Sequence, residues 1–541
     1  MEYNLADLFE YAADTFGDRE YLVAAGARRT YRELDERANR LAHHLADRGV
    51  GPGDHVGIYA YNRAEWVETL WAVFKLRAVW VNINYRYVTD ELRYLFEQSD
   101  VCAMVVERQF VPQVAALSGA LGKLRHVLVV EDDSDAVIPL STRALTVSSF
   151  EEAVETQSSV RDFGPRSADD RYILFTGGTT GLPKGVVWRH EDVLFALGGG
   201  IDALTGERIE RPQRLAEKGV AQNFQITFLP LAPLMHGASQ WAVMGQSFVG
   251  NKIVLVRRFD AAAAWALVAS EGVNSMLLTG DAMARPLIEE LESNGGAYET
   301  SSLISISSTA AIFSPDVKEA FFRYFPNIVM TDAIGSSESG ANGIVLLKPG
   351  ETAMRGGPTV RPIGDSVVLD EQWIPLAAGT GTIGLLARSG HIPIGYHRDP
   401  ERTAKTFQEV DGVRYVVTGD FATLEADGAI TLLGRGSVSI NTGGEKVFPE
   451  EVEAAVKSHP DIYDATVVGV PDERWGQRVT AVVEPRPGRV PTLGSVQEHC
   501  RTKIAGYKVP RELVVVDKVV RSPAGKPDYR WALATALGEE P

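Results

Sequence analysis

Cysteine is nearly absent from this chain of 541 residues, and positive charge is scarcer than negative charge. The two cysteines, Cys102 and Cys500, lie far apart and show no CxxC spacing, which excludes a zinc site built on cysteines and does not favour a disulfide framework. The net charge of −17 argues against nucleic acid as a partner, because a face that binds phosphates needs a basic excess. The chain is longer than one hydrophobic core supports, so we expect at least two domains.

A basic or strongly apolar targeting segment is also missing. The opening residues, MEYNLADLFEYAADTFGDRE, are acidic and amphipathic, so we expect a cytoplasmic protein. The 33 residues between Lys218 and Lys252 contain no Asp, Glu, Lys or Arg, but they include Pro230, Pro233 and His236, which a bilayer would penalise. We therefore expect no transmembrane segment and interpret this stretch as protein interior with an apolar ligand pocket.

Helix and strand patterns alternate in the first part of the chain. Apolar spacing predicts helices over Tyr31–Arg48 and Ala64–Leu76, with strands at DHVGIYAYN and VWVNIN. This alternation predicts an α/β fold with mostly parallel, covered sheets. Short strands from about Val360 to Leu433 predict a β-rich subdomain. The sequence after this subdomain predicts a small α+β unit. We place the domain boundary between residues 1–434 and 435–541.

The most informative segment is RYILFTGGTTGLPKGVVWRHE, from Arg171 to Glu191. Glycines let backbone N–H groups approach an anion, threonine hydroxyls add donors and a lysine adds countercharge. The segment therefore predicts a phosphate-binding loop between two strands, and the alternative is a flexible surface hairpin. It is not a Walker A loop, because GK[ST] does not occur in the chain. The candidate phosphate contacts are Thr176, Gly177, Gly178, Thr179, Thr180, Gly181 and Lys184.

This segment resembles the nucleotide loop of the adenylate-forming enzymes, which include acyl-CoA synthetases, carrier-protein adenylation domains and firefly-type luciferases. The likeness extends over nearly the whole chain. It implies the adenylate-forming fold, with residues 1–434 as the domain that binds ATP and an acid. Residues 435–541 would form a small mobile α+β domain. It also implies ATP, Mg²⁺ and coenzyme A as cofactors and co-substrates.

The block TDAIGSSESG resembles the family's YGxTE motif, with Ser337 in the threonine position and Glu338 as the Mg²⁺ ligand. Taken alone, Glu338 would be a solvated loop residue. Ile334 replaces the tyrosine that stacks on adenine, so an apolar face remains but π-stacking is lost. Asp332 replaces the asparagine that contacts the adenine amino group.

Three further blocks carry candidate nucleotide contacts. In VVTGDFATLEADG, Asp420 follows a strand and a Thr-Gly turn, and with Arg435 it resembles the family's clamp on the ribose. A turn-forming aspartate is the alternative. In RSPAGKPDY, Lys526 matches the mobile lysine that meets the carboxylate and the α-phosphate during adenylation. In SVSINTGGEKVFPEEVE, Ser437 stands where the family keeps its hinge residue, and the loop that admits the pantetheine arm would contain Gly443, Gly444 and Lys446.

The block LPLAPLMHGASQWAVMG resembles the family's acyl-pocket helix, with His236 as the gate beside the carboxylate; a hydrogen-bonded core histidine is the alternative. Amino-acid-activating members carry an aspartate where this chain has Gly237, so an α-amino acid is disfavoured. Small residues leave volume for a bulky acid. We assign His236, Gly237, Ala238, Trp241, Ala310 and Ala311 to the acid, and Lys526, Glu338, His236 and Thr176 to catalysis.

The resemblance implies two half-reactions: ATP and the acid form an acyl adenylate and pyrophosphate, and coenzyme A thiol then displaces AMP. Together, TGGTTGLPKGVVWRHED, TGDAMARP, GSSESG, GRGSVSINTGGEKV and IAGYKVP look like the bacterial sterol side-chain carboxylate–CoA ligases. The expected acid is therefore a steroid side-chain acid or a medium- or long-chain fatty acid. The sequence leaves the formation of a homo-oligomer open.

Other functions remain as alternatives. An acyl-AMP ligase would pass the acid to a carrier protein instead of coenzyme A, and a silent nucleotide sensor would not turn over. Gly379, Gly381 and Gly384 spell GxGxxG with Asp399 about twenty residues on, as in an NAD-dependent oxidoreductase. However, the residues that follow favour a strand over a helix, so we interpret this motif as a turn in the β-rich subdomain.

Overall fold

The computed structural model describes residues 3–87, 89–137, 145–178, 181–202, 205–351, 357–442, 445–472, 475–521 and 525–539. The chain divides into two compact units, each built from separate stretches of sequence. Unit 1 comprises Met1–Leu277, Gly296–Ser305 and His391–Phe407, and unit 2 comprises Leu278–Gly295, Ile306–Gly390 and Gln408–Pro541.

The first half of the chain alternates between helices and strands. Up to residue 155 the helices are α1 (Leu5–Phe16), α2 (Tyr31–Asp47), α3 (Ala64–Lys75), α4 (Thr89–Gln98), α5 (Val111–Ala116) and α6 (Phe150–Glu155), and the strands are β1 (Glu20–Ala24), β2 (Ala27–Thr30), β3 (His55–Tyr59), β4 (Val79–Asn82), β5 (Val101–Glu107), β6 (His126–Val130) and β7 (Thr146–Ser149). Up to residue 294 there follow β8 (Arg171–Gly178), β9 (Gly181–Arg189), α7 (His190–Ala196), α8 (Arg214–Ala221), β10 (Thr227–Pro230), α9 (Gly237–Phe248), β11 (Lys252–Leu255), α10 (Ala261–Glu271), β12 (Ser275–Leu278) and α11 (Gly280–Asn294).

Strands dominate the next part, and the final part is mixed. Up to residue 435 there follow β13 (Ser305–Thr309), α12 (Pro315–Tyr324), β14 (Val329–Ser336), β15 (Gly340–Leu347), β16 (Thr359–Pro362), β17 (Ser366–Leu369), β18 (Ile383–Arg388), β19 (Gly395–Tyr396), α13 (Pro400–Thr406), β20 (Phe407–Val410), β21 (Val413–Leu424) and β22 (Ile430–Arg435). The remaining elements are β23 (Ile440–Thr442), β24 (Glu445–Val447), α14 (Pro449–Lys457), β25 (Ile462–Asp472), β26 (Gly476–Pro485), α15 (Leu493–Arg501), β27 (Glu512–Val515) and α16 (Tyr529–Leu537).

Unit 1 contains an eight-stranded sheet in the order β19-β9-β8-β4-β3-β5-β6-β7. The strands from β8 to β7 pair in parallel, whereas β8–β9 and β9–β19 are antiparallel. Every residue of β5 and β6 is buried, which explains their continuous apolar sequences. The mostly parallel sheet predicted from the alternation is therefore confirmed for this unit.

The predicted helices of unit 1 are present, with ends shifted by one residue. The helix predicted over Tyr31–Arg48 is α2, which ends at Asp47. It begins at a capping box in which Thr30 and Glu33 bond each other's backbone N–H groups, so two N-terminal donors are satisfied.

Unit 2 contains the predicted β-rich part. Strands β14, β15, β16, β22, β21, β18 and β17 pair with their neighbours in that order, all antiparallel, over a core that includes Val360, Leu386 and Ile430. The GxGxxG motif leads directly into strand β18 and not into a helix. A Cβ added at Gly384 would lie 2.3 Å from the carbonyl oxygen of Leu369, so strand packing accounts for that glycine.

The last part of unit 2 has a sheet and a core of its own. Strands β24-β23-β26-β25 and β27 form a five-stranded sheet around Val467, Val479 and Ala481. Helix α14 begins at Pro449, as predicted, because proline suits the first turn of a helix. The domain boundary between residues 434 and 435 stays a prediction.

Cys102 and Cys500 are buried free thiols. Within the described ranges, no helix is long and apolar enough to cross a membrane.

Candidate active site

The predicted phosphate loop is a tight hairpin in unit 1. Strands β8 and β9 bring Thr176 opposite Lys184 and Gly178 opposite Gly181, with an irregularity of register between them. Residues 176–178 and 181–184 therefore lie in paired strands, whereas the sequence predicted a loop there. Backbone pairing outweighs the turn preference of the glycines. Thr179 and Thr180 lie outside the described residues.

A buried asparagine that the sequence analysis missed anchors this hairpin. Asn82, at the end of β4, donates from Nδ2 to the carbonyl oxygens of Phe175 (2.8 Å) and Met235 (2.7 Å) and accepts from the N–H of Phe175 (2.7 Å). One amide therefore ties the hairpin to the segment that leads into α9. The only signal was a polar residue within the apolar run VWVNIN.

Lys184 rests on Tyr396, another residue that the sequence analysis missed. Its Nζ donates to the Tyr396 hydroxyl at 3.2 Å and lies 4.9 Å from the centre of the ring. Strand β19 places the tyrosine there, because Tyr396 pairs with Val186 of β9. The phosphate lysine is thus held near the hairpin by a hydrogen bond and a cation–π contact.

The predicted acyl segment also lies in unit 1. His236 is half-buried and is the N-cap of α9, and Ala238 is also half-buried. A Cβ added at Gly237 would lie 2.5 Å from Leu174 Cδ2 and 3.1 Å from the ring of Trp241. The expectation that Gly237 leaves volume is therefore wrong, since Leu174 and Trp241 occupy that space.

In unit 2, the block around Glu338 is the hairpin between β14 and β15. Residues 337–339 form its turn, and the Ser336 hydroxyl accepts from the N–H groups of Glu338 (3.3 Å) and Ser339 (3.0 Å). Glu338 is buried, so the solvated-loop alternative is wrong.

The protein side chains around Glu338 could hold Mg²⁺ only together with the phosphates of a substrate. No group of three or more His, Cys, Asp or Glu side chains suited to a metal occurs in the part of the chain that the structure describes. Mg²⁺ is commonly held by one or two carboxylates together with substrate phosphates and waters, and a single buried carboxylate such as Glu338 fits that mode.

The predicted adenine contact is part of a buried ion pair. Asp332 Oδ2 lies 2.8 Å from Nζ of Lys318 on α12, and both side chains are buried. Burial raises the pKa of Asp332, and Lys318 opposes this effect. Ile334 on the same strand is buried as well. Lys318 was not found from the sequence, because a lysine on an amphipathic helix is usually exposed.

The two predicted ribose residues occupy opposite positions in paired strands. Asp420 lies opposite Arg435 in the β21–β22 ladder. Asp420 was expected after a strand, but it lies inside β21, next to Gly419 with its φ of +84°. The Thr418 hydroxyl donates to the Asp420 carboxylate. The structure brings these two backbone positions together, and their contact with a ribose stays a prediction.

Two further predicted segments meet at the beginning of α11. A Cβ added at Gly525, the residue before Lys526, would lie 2.9 Å from Ala282 Cβ. A Cβ added at Gly280 would lie 2.2 Å from the carbonyl oxygen of Ile312, directly after Ala310 and Ala311. Ala310 is exposed with a φ of +68°. Lys526 and the two alanines thus lie in segments that contact one helix terminus.

The remaining predicted contacts are described only in part. Ser337 lies in the turn beside Glu338, and Lys446 lies in β24. Gly443 and Gly444 lie outside the described residues. Gly434, directly before Arg435, has a φ of +131°, and a Cβ there would lie 2.2 Å from Glu450 Oε2. A glycine is therefore required at this point of the chain.

Comparison with known proteins gives consistent matches. Residues 9–389 match the AMP-binding enzyme family, and residues 451–526 match the AMP-binding enzyme C-terminal domain. A 3-oxocholest-4-en-26-oate–CoA ligase of Rhodococcus rhodochrous is 48% identical over 98% of this chain and 96% of its own length. A medium/long-chain-fatty-acid–CoA/3-oxocholest-4-en-26-oate–CoA ligase of Mycobacterium marinum is 50% identical over 98% of this chain and 96% of its own length. The crystal structure of the anthranilate CoA ligase AuaEII with anthranoyl-AMP covers 99% of this chain and 97% of its own at a TM-score of 0.83 and 23% identity, which shows a shared fold.

Proposed function

We propose that this chain, which belongs to the AMP-binding enzyme family, is an acid–thiol ligase that joins a bulky hydrophobic carboxylic acid to coenzyme A. The reaction consumes ATP, passes through an acyl adenylate and releases AMP and pyrophosphate. The observation that carries the proposal is the identity of 48% to 50%, over 98% of this chain, with relatives named as CoA ligases. The free buried thiols are consistent with the proposed cytoplasmic location.

We assign the acid to the class that those relatives share: a steroid side-chain acid or a medium- or long-chain fatty acid. The apolar surroundings of α9 support this, since Leu174, Trp188 and Trp241 are buried there. An amino acid is disfavoured, because Gly237 offers no carboxylate for its ammonium group. A buried ammonium group without a partner costs several kcal/mol.

In the first half-reaction, a carboxylate oxygen of the acid bonds to the α-phosphorus of ATP, and the bond to pyrophosphate breaks. We assign the phosphates to the β8–β9 hairpin, whose backbone N–H groups, Thr176 hydroxyl and Lys184 ammonium would act as fixed donors to the developing negative charge. Lys526 would donate to the α-phosphate and the carboxylate. Mg²⁺ held by Glu338 and the phosphates would neutralise further charge.

In the second half-reaction, the coenzyme A sulfur bonds to the acyl carbon, and the bond to AMP breaks. We assign the pantetheine path to Gly443, Gly444 and Lys446. Residues 435–541 would turn as a small domain between the two steps, since the glycines around Arg435 absorb changes of backbone angle easily.

The central experiment measures pyrophosphate release with Mg²⁺ and ATP against a panel of fatty acids, aromatic acids and steroid side-chain acids. Each reaction is repeated with coenzyme A and analysed for the thioester. Release of pyrophosphate with formation of the thioester is expected for the apolar acids. Acyl-AMP without a thioester would indicate a carrier protein as acceptor, and no pyrophosphate with any acid would contradict the proposal.

Replacement of Lys526 tests its role as the adenylation lysine. Lys526→Ala should slow acyl-AMP formation by about 10²–10³, the usual effect of removing one fixed donor to developing charge. Thioester formation from preformed acyl-AMP should be unchanged. The matched control is Lys518→Ala, at an exposed lysine in the same part of the chain. Equal losses in both half-reactions would contradict the assigned role.

A further inference from the structure

The segment TGDAMARP, residues 279–286, opens α11, and none of the roles above uses it. We propose that this segment is the platform on which the Lys526 loop docks for adenylation, with Asp281 and Arg285 as positioning residues. The inference rests on the proposed function and adds the residues that hold the adenylation lysine in place.

The Lys526 loop touches this platform directly. Gly525 has a φ of +74°, and a Cβ there would lie 2.9 Å from Ala282 Cβ and 3.8 Å from the Thr279 carbonyl oxygen. A side chain at position 525 would therefore push the loop away from α11. The glycine permits the close approach that places Lys526 beside the helix terminus.

Asp281 joins the platform to α14. Its Oδ1 accepts from the Ser314 N–H (2.8 Å) and hydroxyl (3.0 Å), and its Oδ2 lies 3.7 Å from Lys457 Nζ. The Lys457 side chain is only 2% exposed. Lys457 also interacts with Glu453 and Asp464 of its own part of the chain. Asp281 therefore adds a carboxylate from α11 to the groups that balance this buried lysine.

Arg285, one helical turn further on, makes a second connection. Its guanidinium lies 3.4 Å from Asp316 and 5.6 Å from the centre of the Tyr463 ring on β25. The Tyr463 hydroxyl in turn donates to Glu289 Oε2 of α11 at 3.5 Å. Helix α11 therefore holds β25 from two successive turns.

The neighbouring residue on β25 holds the other end of the Lys526 loop. Asp464 forms a bidentate ion pair with Arg521, with both N–O distances at 2.5 Å. Arg521 also donates to the Gly525 carbonyl oxygen at 3.2 Å. Tyr463 and Asp464 are adjacent, so one strand connects the platform to the loop that carries Lys526.

This arrangement explains why charged residues are buried in this region. If the C-terminal part turned away for the second half-reaction, Lys457 would lose Asp281. Arg285 would lose the Tyr463 ring but would keep Asp316. The pairs therefore stabilise one arrangement only, and weakening them shifts the equilibrium away from it. Adenylation should suffer, whereas thioester formation should not.

The test is Asp281→Asn, which keeps an acceptor for Ser314 but removes the charge that faces Lys457. With dodecanoate and ATP, we expect acyl-AMP formation to slow about tenfold, within the usual range of coupling between sites. Thioester formation from preformed dodecanoyl-AMP and coenzyme A should remain at the wild-type rate. Arg285→Lys should show the same asymmetry, because lysine cannot form the planar contact with the Tyr463 ring.

The control is Glu292→Gln, on the exposed side of the same helix, which should change neither half-reaction. Thermal unfolding of each variant separates loss of fold from loss of positioning, and if Asp281→Asn does not fold, Arg285→Lys decides. Equal slowing of both half-reactions in a folded variant would overturn the inference. Failure of the wild type to form acyl-AMP from any acid would instead refute the proposed function.

Discussion

At the scale of single residues, the ion pair between Lys318 and Asp332 shows how a change at one position requires another. Asp332 stands where the family pattern has asparagine, and the aspartate brings a charge to a buried position of β14. Lys318 Nζ lies 2.8 Å away and balances that charge. The pair lets a carboxylate occupy the position predicted to face adenine.

Removing one member of this pair should destabilise the fold. Lys318→Met leaves Asp332 buried without its cation, and we expect the free energy of unfolding to fall by about 3–5 kcal/mol. The double variant Lys318→Met/Asp332→Asn should recover most of the loss, because no charge then remains buried. Urea unfolding measures both, with Lys348→Met at an exposed lysine as the control. Equal stability of the single variant and the control would contradict this view of the pair.

The sequence revealed residues within contiguous motifs but not their distant partners. Thr176, Lys184, Glu338 and Asp420 stand in recognisable blocks, and the structure describes each of them. Tyr396 lies 212 positions from the lysine that it holds, and Asn82 lies 93 positions from Phe175. No local pattern indicates such contacts, because only the three-dimensional fold brings these side chains together.

At the scale of elements, the start of α9 is tightly packed. The Cβ of an alanine at position 237 would lie 2.5 Å from Leu174 Cδ2. Gly237→Ala should lower the free energy of unfolding by about 1–3 kcal/mol, as overpacking does. The matched control is Gly494→Ala in the first turn of α15, where an added Cβ meets nothing within 4 Å. That variant should be as stable as the wild type or slightly more so, because alanine favours helices.

Differential scanning calorimetry of both variants checks this comparison. If Gly237→Ala melted together with Gly494→Ala, α9 would have room for a side chain in the free protein. The contact with Leu174 would then not explain the glycine.

Elements with strong periodicity were predicted well, and hairpins less well. Helix α2 matches its prediction to within one residue, because its apolar face and capping box agree. The β8–β9 hairpin differs, because glycine and threonine favour turns locally while the antiparallel ladder extends through them. Pairing between strands is a non-local interaction, so local preference misjudged where the strands end.

At the scale of the whole molecule, a buried histidine pair makes stability depend on pH. His44 Nε2 and His126 Nε2 lie 3.0 Å apart, and His126 Nδ1 contacts the Thr146 hydroxyl at 2.7 Å. Burial, together with the nearby His44 and Arg48, lowers the pKa of His126 to about 4, and burial also lowers the pKa of His44. The folded chain thus keeps these rings neutral at pH values where the unfolded chain protonates them.

The sign follows from the lowered pKa. Stability from neutral His126 is complete above the ordinary histidine pKa of about 6.5, and it falls as the pH drops toward 4, by about 3 kcal/mol in all. His126→Gln should weaken this dependence, as measured by urea unfolding between pH 4 and pH 8 beside the wild type. An unchanged slope in the variant would show that other groups cause the acid sensitivity.

The sequence did not predict which residues belong to each of the two units. Length alone predicted at least two domains, and the chain divides into two compact units. Both units, however, combine separate stretches: residues 278–295 belong to unit 2, while residues 391–407 belong to unit 1. Domains predicted as continuous ranges of residues cannot describe units that are built from separate segments. Composition does not show where the chain leaves one hydrophobic core and returns to it later.

The position of β19 has a practical consequence for anyone who shortens this gene. The larger family match ends at residue 389, two positions before the stretch that supplies β19 to the eight-stranded sheet. A fragment that ends there would lack β19, so β9 would become an exposed edge strand whose backbone could pair with other chains. It would also remove the aromatic ring beneath Lys184. Fragments meant to preserve the phosphate hairpin should therefore extend beyond residue 407.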